Sequence, residues 1–140
     1  MKRLFILFFA FFCTVSTFAQ DTNFTIEITN VTANGGQIIM SIFTNAQEYR
    51  NEAPPVNFAI ESAADVVTKE VTLPAGDYLI FAFQDTNNNQ KLDFRLFGIP
   101  REPIGVSNYF GRGFPSRDFN RHKITIDSST ERVVFSLYRL

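Results

Sequence analysis

Short stretches with the alternation of a β-strand constrain the fold of this chain more than any other feature. Residues 24–29 alternate apolar and polar side chains, which places the apolar ones on a single face. Residues 37–44 (QIIMSIFT) suit a strand that is buried on both faces, and residues 78–84 (YLIFAFQ) are the most apolar stretch after the N-terminal one. Helical periodicity is missing from the sequence, apart from a single predicted turn at residues 46–49. The chain is therefore predicted to be all-β.

Turn signals divide the sequence into about seven strands. Asn34-Gly35-Gly36 marks one turn because glycine adopts a positive φ at no steric cost, and Pro74-Ala75-Gly76-Asp77 marks another because proline presets φ. An antiparallel β-sandwich is the fold that such closely spaced strands favour. Strands are predicted at residues 24–29, 37–44, 56–61, 66–73, 78–84, 122–127 and 132–138, with a short further one at 94–97.

The N-terminal segment has the pattern of a secretory signal. Lys2 and Arg3 precede an apolar run at residues 4–12, and Thr17-Phe18-Ala19 ends in a small residue that signal peptidase accepts. The run is shorter than the roughly 20 apolar residues of a membrane-spanning helix, and no later segment approaches that length. We predict a cleaved signal peptide at residues 1–19, a single β-sandwich domain without a transmembrane segment at residues 20–140, and a periplasmic or secreted location.

Charge and cysteine content narrow the possible partners and stabilising devices. Removing Lys2 and Arg3 from the 13 basic residues leaves 11 against 14 acidic ones, a formal net charge of −3 for the mature chain. This acidic balance disfavours nucleic acid, whose binding depends on neutralising phosphates. Cys13 is the only cysteine and would leave with the signal, so disulfides cannot stabilise the domain. We expect the partner to be an envelope protein or a carbohydrate.

A loop rich in aspartate and asparagine follows the most apolar predicted strand. It places side-chain oxygens at its first, third, fifth and ninth positions, and its seventh residue can add a backbone carbonyl. A calcium ion needs several such oxygens from a short, tightly curved segment. Glu102, the nearest downstream carboxylate, would complete the set. The predicted ligands of a weak calcium site are Asp85, Asn87, Asn89, Lys91, Asp93 and Glu102.

Two positions of this loop depart from the EF-hand pattern. The sixth, usually glycine, is Gln90, and a non-glycine residue in the left-handed region costs roughly 1–2 kcal/mol. The twelfth, usually a bidentate glutamate, is Leu96. An EF-hand is excluded because a predicted strand precedes the loop and no helix follows it. The alternative is a plain hairpin loop without an ion, since Asn and Asp cap their own backbone in turns.

Residues 98–121 form a long segment in which no strand is predicted. Loops of more than about 12–15 residues are uncommon in compact domains and are often functional. Two interpretations stay open: the aromatic rings fix the segment onto the sandwich, or they form a ligand-binding surface together with arginines. The residues concerned are Phe94, Arg95, Phe97, Arg101, Tyr109, Phe110, Arg112, Phe114, Arg117, Phe119 and Arg121.

The sequence offers few residues for catalysis. His122 is the only histidine and opens a predicted strand, so a histidine cluster for zinc is excluded. A Ser-His-Asp triad with Ser107 or Ser116 lacks a nucleophile-elbow sequence. We therefore predict no catalytic residues. The alternative enzyme is a hydrolase that uses carboxylates near the Asp/Asn loop.

Three motifs in this order resemble the DUF2141 family of small exported bacterial proteins. They are Leu-Pro-Ala-Gly-Asp-Tyr at residues 73–78, Phe-Gln-Asp-Thr-Asn-Asn-Asn-Gln-Lys-Leu-Asp at 83–93, and Phe-Gly-Ile-Pro-Arg-Glu-Pro-Ile-Gly-Val-Ser-Asn at 97–108. Ala75, Gln84 and Gln90 depart from the family pattern, which has proline at the first of these positions, often has histidine at the second and has glycine at the third. The resemblance implies a sandwich similar to transthyretin-like or carboxypeptidase-regulatory modules, and it implies no reaction. It also suggests that the second and third motifs fold together.

These patterns together predict an exported, non-enzymatic module of the cell envelope that binds a ligand or a protein. A weak structural calcium loop would brace the segment at residues 98–121. The alternatives are the carboxylate-dependent hydrolase and a purely structural envelope component. An exposed patch of aromatic and arginine side chains would favour the binding module, whereas buried rings at residues 109–119 would favour the structural one.

Overall fold

Two β-sheets packed face to face make up the fold in the computed structural model, which describes residues 20–111 and 113–140. The predicted signal peptide and Arg112 lie outside the described residues. Among the residues described, no helix is long and apolar enough to span a membrane. The elements are β1 (Asp21–Thr29), β2 (Gln37–Phe43), α1 (Ala46–Arg50), β3 (Val56–Glu61), β4 (Val67–Pro74), β5 (Gly76–Asp85), a 3-10 turn (Leu96–Gly98), β6 (Ile104–Val106), α2 (Phe119–His122), β7 (Ile124–Ile126) and β8 (Arg132–Ser136).

The strand order confirms the predicted all-β sandwich. The first sheet has the order β4-β1-β8, and the second has the order β3-β2-β5-β6, with β7 pairing with the first residues of β5. Pairing is antiparallel except between β1 and β8, which run parallel. The predicted turn after β4 carries the chain from one sheet to the other, because β4 pairs with β1 whereas β5 pairs with β2. Only Ala75 separates these two strands.

Alternation along the strands builds the core between the sheets. Ile26 and Ile28 of β1 face Ile80 and Ala82 of β5 across this interior, and all four are fully buried. Burying one such isoleucine contributes about 1.5–3 kcal/mol. A smaller cluster lies on the other face of β5, where α1 and α2 cover it. Its buried members are Phe43, Leu79, Val106 and Phe119.

The structure corrects the prediction for residues 94–121. The segment 98–121 contains strand β6 and helix α2, which at three and four residues are too short to show a periodicity. The predicted strand at 94–97 is wrong. Phe94 forms only an isolated bridge with Pro100, and the 3-10 turn takes up the residues between them. The predicted helical turn at 46–49 is confirmed as α1.

Candidate functional site

The Asp/Asn loop is organised around the carboxylate of Asp85, the last residue of β5. This side chain is 0% exposed. Its Oδ1 accepts a hydrogen bond from the backbone N–H of Asn89 at 3.1 Å, and its Oδ2 accepts one from the N–H of Gln90 at 2.6 Å. A carboxylate accepting two backbone N–H groups fixes the curvature of the loop, because charge-assisted hydrogen bonds are about twice as strong as neutral ones.

Three further predicted ligands converge inside the same loop. The side-chain amides of Asn87 and Asn89 donate to Oδ2 of Asp93 at 2.6 and 3.0 Å. The backbone N–H of Asn89 donates to both Asp85 Oδ1 and Asn87 Oδ1, each at 3.1 Å, so these two oxygens lie next to each other. Four of the six predicted ligands therefore meet in one place. Sequence spacing was sufficient to predict this convergence.

Glu102 lies at the base of the Asp/Asn loop, and only 2% of the residue is exposed. Its Oε1 accepts from the backbone N–H of Thr86 at 2.9 Å, and its Oε2 accepts from that of Asp93 at 3.2 Å. The carboxylate thus joins the beginning of the loop to its end, and the second and third family motifs do fold together. Lys91 is exposed and donates its N–H to Asn89 Oδ1 at 2.8 Å.

The donor set of the loop suits a calcium ion in its chemistry, since every converging group is a carboxylate or an amide. For an ion to bind, Asn87 and Asn89 must turn their amide groups so that oxygen, instead of nitrogen, faces Asp93. Glu102 already has both oxygens bonded to the backbone, so its role as a ligand stays a prediction. Within residues 20–111 and 113–140, no three carboxylate, histidine or cysteine side chains form a group that could hold a metal.

Left-handed backbone conformation is concentrated in this region. Asn88, Gln90 and Phe97 have φ of 56°, 60° and 67°. Asparagine tolerates this region because its short side chain bonds locally, whereas glutamine and phenylalanine do so at a cost of about 1–2 kcal/mol. The strain expected from the sequence at the sixth loop position is therefore present at Gln90.

Replacing Gln90 by glycine should stabilise the domain by about 0.5–1 kcal/mol. The substitution relieves the left-handed strain, and the greater flexibility of glycine in the unfolded chain offsets part of that gain. Urea unfolding of the two proteins measures the difference. Lys91→Gly, at a neighbouring position without positive φ, is the control and should destabilise the domain by about the same amount. Equal losses in both variants would show that Gln90 is not strained.

A tight hairpin of residues 94–101, called here the 94–101 hairpin, stands directly on this loop. Its two arms are joined by Arg95 N–H to Ile99 O at 2.7 Å, and its base is joined to the loop by Arg101 N–H to Asp93 O at 2.8 Å. Three of its apolar side chains are exposed instead of packed: the exposed fractions are 54% for Phe94, 83% for Leu96 and 97% for Phe97. Of its other apolar residues, Ile99 is half-buried and Pro100 is buried. Leu96 was not among the aromatic and arginine residues predicted to form a surface.

A family model described as "Uncharacterized protein conserved in bacteria (DUF2141)" matches residues 26–134. The chain belongs to the DUF2141 family. Searches of the curated proteins and of the solved structures found no match. The matched residues of this DUF2141 chain include the whole Asp/Asn loop, Glu102 and the 94–101 hairpin.

The aromatic residues of the DUF2141 chain divide into packed and exposed groups. Phe119 is the buried residue with which α2 packs on the second sheet, and the Tyr109 ring packs against His122 and Tyr138 with ring centroids 5.4 and 5.7 Å apart. Phe110, by contrast, is 89% exposed. It follows β6, whereas the 94–101 hairpin precedes β6, so the predicted surface is split between the two ends of that strand.

Ser107 and His122 are brought together by the fold, but not as a catalytic pair. The Ser107 hydroxyl donates to the backbone carbonyl of His122 at 2.7 Å and accepts from the N–H of Ile80 at 3.0 Å. His122 lies at the end of α2 and is buried, contrary to the expected strand start. Its two ring nitrogens and the hydroxyl of Tyr138 are buried without a hydrogen-bond partner among the described residues. Burial also raises the pKa of Tyr138.

Gln84 has a structural role that its sequence position did not reveal. It is fully buried at the end of β5, where its side chain accepts from Thr32 N–H at 3.0 Å and donates to Thr32 O at 2.7 Å. This pair of bonds ties the connection between β1 and β2 to the base of the Asp/Asn loop. A residue that departs from the family pattern here therefore satisfies one N–H and one carbonyl of the connection between β1 and β2.

Proposed function

We propose that this DUF2141 chain is an exported, non-enzymatic module of the cell envelope that binds its partner through the 94–101 hairpin. The observation that carries the proposal is the exposure of Phe94, Leu96 and Phe97 on one tightly bonded turn. Scattered exposed apolar residues are ordinary, but several on adjacent positions of one ordered turn are typical of an interaction site. The sandwich supplies the rigid support that such a turn needs.

Pre-organisation of the hairpin supports the same proposal. Glu102 fixes the Asp/Asn loop through Thr86 and Asp93, and Asp93 in turn accepts a backbone hydrogen bond from Arg101. A surface that is ordered before binding loses less conformational entropy when its partner arrives. The buried carboxylates therefore serve the hairpin as supports.

Retention of the protein in the cell envelope tests this function. We expect the full chain, expressed in a bacterial host, to be processed to begin at Gln20 and to remain with the washed envelope fraction. The double variant Leu96→Ser/Phe97→Asn should move to the soluble fraction, since asparagine tolerates the left-handed conformation while removing the ring.

Phe110→Asn is the matched control, because Phe110 is as exposed as the hairpin residues but lies elsewhere. It should remain with the envelope. If the Leu96/Phe97 variant is retained in the envelope fraction as well as the unchanged protein, the hairpin is not the binding surface.

We further propose that the Asp/Asn loop binds calcium weakly and that the ion stiffens the support of the hairpin. Asp85, Asn87, Asn89 and Asp93 would hold it, with the carbonyl of Lys91. Two loop carboxylates correspond to a Kd of roughly 10⁻⁴–10⁻³ M. At calcium concentrations of about ten times Kd, mass action adds about 1.4 kcal/mol of stability, which raises the melting temperature of a domain of this size by about 5 °C.

Thermal unfolding in calcium, in magnesium and in EDTA measures this effect. Magnesium should produce no comparable shift, because it demands near-ideal octahedral geometry. Asn87→Ala should abolish the calcium shift, whereas Asp118→Ala, which alters an exposed carboxylate on the α2 cap, should preserve it. An unchanged melting temperature in calcium would contradict the proposal that the loop binds this ion.

A further inference from the structure

We infer that the 94–101 hairpin docks on an anionic lipid surface. Leu96 and Phe97 would enter the boundary between headgroups and acyl chains, while Arg95 and Arg101 pair with lipid phosphates. The inference rests on the proposed function, in which this hairpin is the binding surface, and it names the class of partner. An acidic protein is the competing partner.

The shape of the hairpin favours lipid over protein. Its apolar residues are at the tip of a turn, and Leu96 and Phe97 are the most exposed of them. A stable protein interface buries about 800 Å² on each partner. Even a fully buried aromatic side chain contributes only about 150–250 Å², so the three exposed apolar side chains of this turn supply at most about 450–750 Å², which is below that area. Insertion by about 5–10 Å into a lipid interface needs no such flat surface.

The charge of the hairpin favours an anionic surface. Residues 94–101 contain two arginines and no carboxylate. A third arginine is added at the base, where Arg139 Nη1 donates to the carbonyl of Arg101 at 3.0 Å. The mature chain as a whole has an excess of three acidic residues, 14 against 11. The hairpin therefore carries two of the eleven basic residues and none of the fourteen acidic ones. Attraction to lipid phosphates would be local and would orient the domain.

The side chains of the hairpin have the arrangement that a lipid interface requires. Arg95 lies next to Leu96 in sequence, and both are exposed. Arginine can lay its alkyl stem along an apolar surface and extend its guanidinium to the phosphate level. The backbone bonds across the hairpin hold Leu96 and Phe97 outward before any contact with lipid. The two side chains therefore need no rearrangement to insert.

Tryptophan fluorescence provides a direct test, because the chain contains no tryptophan. In the full-length Leu96→Trp variant, emission should shift to shorter wavelength when vesicles of equimolar phosphatidylglycerol and phosphatidylcholine are added. Brominated phosphatidylglycerol should quench it. Phe110→Trp carries the same probe at a site of equal exposure away from the hairpin, and its emission should stay unchanged. Residues 1–19 are identical in the two variants, so any affinity of this segment for lipid contributes equally to both and does not affect the comparison.

The charges are tested in the Leu96→Trp background. Arg95→Gln/Arg101→Gln should weaken vesicle binding by about tenfold or more, as should high salt. Arg50→Gln/Arg117→Gln makes the same change in charge elsewhere and should leave binding within about twofold. Pure phosphatidylcholine vesicles should produce little shift.

An unchanged Leu96→Trp emission, a shift equal to that of Phe110→Trp, or equal insertion into pure phosphatidylcholine would overturn the lipid inference. Envelope retention that still depends on Leu96 and Phe97 would then leave the hairpin as the binding surface for a protein. Retention that is independent of both residues would instead overturn the proposed function itself. The two failures are therefore distinguishable.

Discussion

Replacing Gly36 by alanine is expected to destabilise the domain by about 3 kcal/mol or more. Gly36 has φ of +94°, and a Cβ atom placed on it would lie 1.9 Å from the carbonyl oxygen of Asp85. The left-handed conformation costs about 1–2 kcal/mol, and forcing atoms into a packed site costs a further 1–3 kcal/mol or so. The collision is with backbone, which a side-chain rotation cannot relieve. The melting temperature should fall by on the order of 10 °C.

Gly98→Ala separates the two causes. Gly98 also has a positive φ, +71°, but a Cβ added there meets no atom within 4 Å. This variant should lose only about 1 kcal/mol, the conformational part of the cost. Urea unfolding of both variants measures the difference. Equal losses would mean that the approach of Gly36 to Asp85 does not constrain the base of the loop.

Replacing Glu102 by alanine is expected to cost about 2–5 kcal/mol, because two part-buried backbone N–H groups lose a buried, charged acceptor at once. A hydrogen bond to a charged group contributes roughly 1.5–3 kcal/mol, and less where water can replace the acceptor. The loss should be local as well as global, since Thr86 and Asp93 mark the two ends of the Asp/Asn loop. Amide hydrogen exchange should show both N–H groups exchanging faster than in the unchanged protein.

Glu102→Gln tests the carboxylate while keeping the size of the side chain. Its single amide oxygen can accept one N–H, and its NH₂ group would face the other donor, so about half of the loss is expected. Glu131→Gln makes the same change on an exposed residue and should alter stability by less than about 0.5 kcal/mol. Unchanged hydrogen exchange at the Thr86 and Asp93 amides of the Glu102→Ala variant would show that Glu102 does not hold the two ends of the loop together.

The strands could be predicted from the sequence where they show alternation of apolar and polar residues. β1, β2, β3 and β5 each have six or more residues, and each was predicted to within a few positions. β7 has only three residues but alternates apolar and polar side chains, and it lies within the strand predicted at 122–127. β6 and α2 are equally short, show no such pattern and were missed. β6 exists because its backbone pairs with β5, a partner about 23 residues earlier in the chain.

Part of the candidate site could be predicted from the sequence for the same reason. Asp85, Asn87, Asn89 and Asp93 lie within one curved segment, so their spacing alone indicates convergence. Glu102 lies 16 residues from Thr86, and its carboxylate reaches that N–H only because β6 returns alongside β5. Its place in a family motif suggested the contact, whereas its spacing did not.

By itself, the sequence indicated the individual strands, whose number and spacing favour a sandwich, and the curvature of the Asp/Asn loop, because alternation and turn signals involve residues close together in the chain. Which strands pair was decided by contacts between distant parts of the chain. Tertiary structure alone decided which aromatic rings are free to bind. Phe119 is covered because α2 folds onto the second sheet, and Phe97 is 97% exposed because no distant segment among the described residues packs on its turn. Burial depends on which segments from elsewhere in the chain pack against a side chain, so the residue type alone did not reveal which of the two rings is exposed.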